Sequence, residues 1–216
     1  MIGLKVYAIV PVKGATGKSR LSTVLDREKR KKLVLLMLDD VIHSLKESRF
    51  LSGIIVVSPD DEILHFSKKY SCITVKEPPM GLGLNSAVKL GVNMATAMGA
   101  TAVLIVHADI PLINESDIDY IIREGHKMKA PFIIIVPSRD GGTSILMLSL
   151  PSAFTFKYGE ESFKRHLAEA KRLGLTVKVL QCERASLDLD DANDIALILN
   201  SNLEKKTIKF LRSIMK

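Results

Sequence analysis

Three groups of residues in the chain carry types used in phosphate chemistry. The first is Val10-Pro11-Val12-Lys13-Gly14-Ala15-Thr16-Gly17-Lys18-Ser19-Arg20-Leu21. Its glycines and small residues let backbone N–H groups close on an anion, while Lys13, Lys18 and Arg20 supply three cations. Val12, Lys13, Gly14, Lys18, Ser19 and Arg20 are therefore expected to hold a triphosphate, with Lys13 and Arg20 also acting in catalysis. This is not a P-loop: that motif needs four residues between its glycines, and Gly14 and Gly17 are separated by two. The second stretch, Gly81-Leu82-Gly83-Leu84-Asn85, offers close backbone approach at a helix start, where the dipole favours anions or polar base edges. Gly81, Gly83 and Asn85 are expected to contact the nucleotide. The third is acidic. Asp109 ends an apolar run in His107-Ala108-Asp109-Ile110-Pro111, and Leu187-Asp188-Leu189-Asp190-Asp191 alternates so that Asp188 and Asp190 share a side. Together Asp109, Asp188 and Asp190 would hold Mg²⁺ beside the cationic loop, as phosphoryl transfer requires. The alternative for the last segment is that Asp190 or Asp191 caps the following helix.

The elements that must position these residues alternate. Residues 5–10, 53–57, 72–76, 102–107, 132–136, 143–148 and 176–180 are apolar runs of strand length. Between them, helical patterns cover 26–48, a segment after Ser58-Pro59-Asp60-Asp61, 84–98, a segment from Asn114 or Ser116, 161–173 and 191–199. Strands spaced by helices imply a single α/β domain, with a mostly parallel, mixed sheet flanked by helices and ligands at the strands' C-terminal ends. The basic loop, the glycine pair and Asp109 all follow strands directly, so all three fall on that rim. Late in the chain, Asp140-Gly141-Gly142-Thr143-Ser144 and Phe156–Phe163 add turn glycines and small hydroxyl residues, with Ser162 near a helix start. Arg165 and His166 add a cation and a titratable ring, with a surface helix face weighed at least equally for both.

The chain has 216 residues, 47% apolar and 25% charged, as in an ordinary globular domain rather than a disordered or fibrous one. Its apolar runs are far shorter than a membrane span, and the N-terminal run is too short for a signal peptide. Two cysteines, Cys72 and Cys182, cannot build a disulfide framework and suit a reducing cytoplasm. The net charge of +7 is concentrated: the first 32 residues carry nine Lys and Arg against two acids. That charge suits nucleic acid or a small polyanion such as a nucleotide. With no Trp and eleven Phe and Tyr, stacking platforms for single-stranded nucleic acid are not expected.

In this order, Pro11-Val12-Lys13, Lys18-Ser19-Arg20-Leu21, Ala108-Asp109-Ile110-Pro111, Gly142-Thr143, Tyr158-Gly159…Ser162-Phe163-Lys164-Arg165-His166 and Leu187-Asp188-Leu189-Asp190 resemble the 2-phospho-L-lactate guanylyltransferases. Enzymes of that family make a GTP-activated precursor of coenzyme F-420. The resemblance covers about residues 4–200. It implies a Rossmann-like, GT-A-like nucleotidyltransferase fold and a cytoplasmic enzyme that moves GMP from GTP to the phosphate of 2-phospho-L-lactate or a related phosphorylated three-carbon acid. By the same resemblance the basic loop is the GTP phosphate clamp, Asp109, Asp188 and Asp190 are the Mg²⁺ ligands, and Thr143, Gly159 and Ser162 hold the acceptor. Ser144 departs from the Asn expected there. Another nucleotidyltransferase, acting on a molybdenum cofactor or a sugar phosphate, is the alternative. Residues 201–216 lie beyond the nucleotidyltransferase domain of residues 1–200. They form a basic amphipathic helix pattern, expected to pack on the domain or on a second subunit of a homodimer rather than on a membrane.

Overall fold

Val6–Pro11 (β1) and Ala102–Val106 (β4) are buried along their whole length, since helices cover both faces of the sheet they centre. The computed structural model describes residues 3–14, 18–78 and 83–215. The remaining strands are Leu51–Ser58 (β2), Ile73–Lys76 (β3), Phe132–Pro137 (β5), Thr143–Ser149 (β6) and Thr176–Val179 (β7). Their order across the sheet is β3-β2-β1-β4-β6-β5-β7. Only β6 runs against its neighbours, pairing antiparallel with both β4 and β5. Consequently the start of β6 lies beside the end of β4, with Ile145 opposite Val106. A strand pointing the wrong way thus brings its first residues to the rim where parallel strands finish.

Side chains alternate along β1: Val6, Ala8 and Val10 face one core, Tyr7 and Ile9 the other. The first core takes Arg27–Glu47 (α1), Asp61–Lys68 (α2), Glu115–His126 (α4), Ala192–Leu199 (α7) and Lys206–Ile214 (α8). The second takes Leu84–Ala97 (α3) and Ser162–Arg172 (α5). The starts of α1 and α4 have local causes. Asp26 accepts from Lys29 N–H to cap α1, and Asn114 and Asp117 form a reciprocal capping box on α4. Gly91 lets α3 lie close on β1, since a Cβ there would sit 2.5 Å from Ile9 Cγ2. The sequence pattern did not foresee a 3-10 turn over Ser19–Thr23 or the short helix Glu183–Ser186 (α6).

The tail helix α8 lies along α1 of its own chain, with Thr207, Ile208 and Leu211 buried. Lys205 offers α8 no side-chain cap. Asp40, on α1, takes that role instead, accepting from Lys206 N–H at 3.0 Å and Thr207 N–H at 2.8 Å. Among the described residues, no helix is long and apolar enough to cross a membrane.

Candidate active site

Residues 12–14 and 18–20, the start of α3, the end of β4 and Asp190 enclose a cleft of about 650 Å³ at the C-terminal rim of the sheet. Of the residues singled out from the sequence, Val12, Lys13, Gly14, Lys18, Ser19, Arg20, Gly83, Asp109 and Asp190 line it. Gly81 lies outside the described residues. Asn85 is absent from the lining, its side chain being engaged elsewhere.

Two acidic segments are fastened together at the cleft floor. The Leu189 N–H donates to the Asp109 carbonyl at 2.9 Å, tying segment 187–191 to the residue that follows β4. Leu187 and Leu189 are buried, so Asp188 and Asp190 share the opposite side of the segment; Asp190 lines the cleft, whereas Asp188 is absent from the lining. Asp191 caps α7 by accepting from Asn193 and Asp194 N–H, so Asp190 is free of that task. The Asp190 carboxylate instead meets the Lys18 ammonium, whose Nζ also lies 2.7 Å from Asp109 Oδ2. Lys18 itself adopts a left-handed backbone, φ 63°, as the chain turns into the 3-10 segment.

The electrostatics follow from this contact. Burial works against the Lys18 ammonium, but Asp109 and Asp190 outweigh it and raise its pKa above the ordinary lysine value. Burial likewise opposes the Asp109 charge, yet Lys18 and then His107 hold its carboxyl below the usual range. Among the described residues, Asp188 has no such cation. Burial, then Asp109 and Asp190, push it up to about 6. Among the described residues, no three His, Cys, Asp or Glu side chains converge on one metal-sized point. Asp109 and Asp190 nevertheless fit a hard divalent ion. They already flank a single cation, and Asp109 Oδ1 is buried with no hydrogen-bond partner among the described residues.

A second cluster adjoins the first across β4 and β6. His107 N–H donates to the Ser144 carbonyl at 3.4 Å, placing Thr143 and Ser144 next to the acidic floor. Thr143 and Ser162 are 3% and 2% exposed. Gly159 has φ +117°, a conformation open to glycine but strained for other residues, and its carbonyl accepts the Ser162 N–H at 3.0 Å to start α5. The Tyr158 ring lies between two imidazoles, 5.1 Å from His107 and 4.8 Å from His166. His107 Nε2, Ser144 Oγ and the Tyr158 hydroxyl are all buried and lack hydrogen-bond partners among the described residues.

One expectation is corrected here. His166 is not on a surface face: it is fully buried, while its neighbour Arg165 is exposed. Ser162, His166, Glu169 and Ala170 form the inner stripe of α5 at spacings of four, three and one. That periodicity was available in the sequence, but the polarity of three of its four members disguised it.

The chain matches the family described as Guanylyl transferase CofC like over residues 6–215. It belongs to that family. Among relatives of this CofC-like chain, a phosphoenolpyruvate guanylyltransferase of Sphaerobacter thermophilus is 36% identical over 87% of this chain and 89% of its own. A 2-phospho-L-lactate guanylyltransferase of Methanocaldococcus jannaschii is 35% identical over 98% of this chain and 90% of its own. The fold is that of solved nucleotidyltransferases. A nucleotidyl transferase from Methanothermobacter superposes with a TM-score of 0.70 at 15% identity, covering 98% of this chain and all of that one. A putative nucleotide-diphospho-sugar transferase from Desulfovibrio desulfuricans gives 0.75 at 17% identity, covering 96% and 94%. The CofC-like chain thus shares its fold broadly and its sequence specifically.

Proposed function

We propose that this chain moves GMP from GTP to the phosphate of a phosphorylated three-carbon acid, 2-phospho-L-lactate or phosphoenolpyruvate, in the biosynthesis of coenzyme F-420. Membership of the guanylyl transferase family over nearly the whole chain is the observation that carries this reading. Relatives named for each of the two acceptors stand at almost equal identity, so both belong to the proposal. An acceptor phosphate oxygen attacks the α-phosphorus of GTP. The bond from that phosphorus to the oxygen bridging to the β-phosphate breaks, and pyrophosphate leaves with the electron pair. The acceptor phosphate is already ionised at neutral pH, so no general base is needed. Catalysis then rests on positioning and on neutralising charge.

In this reading Lys13, Lys18 and Arg20 hold the triphosphate with Val12, Gly14 and Ser19, while Gly81, Gly83 and Asn85 lie on the nucleotide side. Asp109, Asp188 and Asp190 would hold Mg²⁺, which when bound offsets charge on the α-phosphate and the departing pyrophosphate. Thr143, Gly159 and Ser162 face the acceptor. A homodimer is part of the proposal, supported by Val177 and Val179, exposed on β7 at the edge of the sheet. A cytoplasmic location is supported by the two free cysteines, Cys72 and Cys182. The test is pyrophosphate release with GTP, CTP or UTP against phospholactate, phosphoenolpyruvate and phosphoglycerate. GTP-selective release with one of the first two acids is the expected result; release with CTP or UTP alone overturns it.

A further inference from the structure

Two contacts fix the protonation of one buried imidazole. Lys157 N–H lies 3.0 Å from His166 Nε2. A peptide N–H only donates, so Nε2 presents its lone pair. The other ring nitrogen, Nδ1, lies 3.0 Å from Thr143 Oγ1. Burial, and then Arg165, His107 and Lys157, lower the His166 pKa to about 4, keeping the ring neutral at physiological pH. A neutral ring with a bare Nε2 carries its proton on Nδ1, and that proton points at Thr143. The Thr143 oxygen therefore accepts from His166. Its own proton must go elsewhere, and no acceptor for it exists among the described residues.

We propose that His166 is a positioning residue that holds the Thr143 hydroxyl as a committed hydrogen-bond donor, aimed at an anionic oxygen of the phosphorylated acid. The inference rests on the acceptor assignment of Thr143 made above. A free threonine hydroxyl can rotate between donor and acceptor roles, and an anion needs only the first. Fixing the rotor before binding removes that ambiguity and the entropy of resolving it. The same imidazole also holds the loop leading to Gly159, through Lys157 N–H. Glu169 supports it one turn further along α5, accepting from Thr155 N–H at 3.3 Å and from Lys157 Nζ at 3.1 Å. Acceptor loop and hydroxyl are thus set by one ring.

The two halves of the ring's work are separable by substitution. In His166→Asn the amide nitrogen stands where Nδ1 stood and still donates to Thr143. In His166→Gln the amide oxygen reaches the Nε2 position, so Lys157 N–H keeps an acceptor while Thr143 loses its donor. Steady-state kinetics with GTP and phospholactate or phosphoenolpyruvate should show an acceptor KM raised about tenfold in His166→Gln, with the GTP KM unchanged, as the loss of one oriented hydrogen bond predicts. His166→Asn should stay within about threefold of the parent. In a Thr143→Val background, His166→Gln should add nothing. Equal losses in both variants that track a fall in Tm would reduce His166 to a packing role and overturn the proposal, as would no loss in either. Independently, ¹⁵N spectra of the imidazole between pH 5.5 and 8 should show the neutral ring protonated at Nδ1. A ring protonated at Nε2 overturns the hydrogen-bond order whatever the acceptor is. Failure of the parent protein to turn over any phosphorylated three-carbon acid would overturn the acceptor reading and, with it, the role given to Thr143.

Discussion

The Asn85 side chain binds both backbone polar groups of Tyr158: its Oδ1 accepts the Tyr158 N–H at 2.7 Å and its Nδ2 donates to the Tyr158 carbonyl at 3.3 Å. Asn85 belongs to the first turn of α3, directly after Gly83 at the cleft, whereas Tyr158 leads into Gly159 and Ser162. The pair is a strap between the nucleotide side and the acceptor side of the rim. An amide is suited to this, because it presents a donor and an acceptor side by side, as the edge of a neighbouring strand would.

Replacing Asn85 with Ala should therefore act on the acceptor more than on GTP. Each lost hydrogen bond is worth about 1 kcal/mol net, and two raise the acceptor KM by roughly tenfold or more. Asn85→Asp keeps the acceptor oxygen and loses the donor, so an intermediate effect is expected. Steady-state titration of each substrate checks this. A rise confined to the GTP KM would limit Asn85 to the nucleotide side and refute the strap.

Asp109→Asn should cut turnover by more than about a hundredfold while leaving the fold intact. Asp109 is the hinge of the acidic floor: its carbonyl holds Leu189, and its carboxylate holds Lys18. The amide keeps the backbone contact and the side-chain shape, so circular dichroism and Tm should change little. Full turnover at saturating Mg²⁺ would remove Asp109 from the chemistry.

Much of this architecture was legible because burial leaves a periodic trace. The fully apolar β1 and β4, the caps at Asp26 and Asn114 and the rim position of Asp109 all follow from local pattern. The orientation of β6 does not, since a strand buried on both faces has the same composition either way round. Its signal lies in the connection: only the five residues 138–142 separate β5 from β6, too few for a parallel crossover. The roles of Asn85 and His166 were hidden for another reason. Asn85 serves backbone groups 73 residues away, and His166 serves a backbone N–H and a hydroxyl outside its own helix; residue type alone does not reveal such partners.

The pH dependence of the acidic floor has a definite sign. Asp188 titrates near 6 in the fold against 3.8 ordinarily, raised by burial and then by Asp109 and Asp190. A carboxyl so raised favours the fold while protonated. Its contribution is fully present below about pH 4 and is lost as pH rises to about 6. Metal-free Asp188→Asn protein should thus match the parent near pH 4 and exceed its Tm above pH 6. Divalent-cation binding to the parent should weaken as pH falls through 6, because the ion must displace that proton. A Tm difference independent of pH would refute both statements.

The last expectation concerns α8, whose first turn is capped from a distance. Asp40 is 4% exposed and accepts two α8 backbone N–H groups, while Lys206 Nζ reaches Asp39 at 2.6 Å. Asp40→Ala leaves the buried Thr207 N–H and the part-buried Lys206 N–H without an acceptor, at a cost of about 1–3 kcal/mol. For a chain of this size that is a fall in Tm of roughly 3–10 °C, with the GTP KM unchanged. Asp40→Asn retains one acceptor oxygen and should lose about half as much. Truncation after Asn200 should exceed either, since it also exposes the α1 surface that Ile208 and Leu211 cover. Thermal melts with sedimentation on the same samples decide between roles for the tail. A lower Tm at unchanged mass means α8 serves its own chain, whereas a halved mass would place it at the subunit contact. An unchanged Tm with lost binding to anionic vesicles would make it a membrane element.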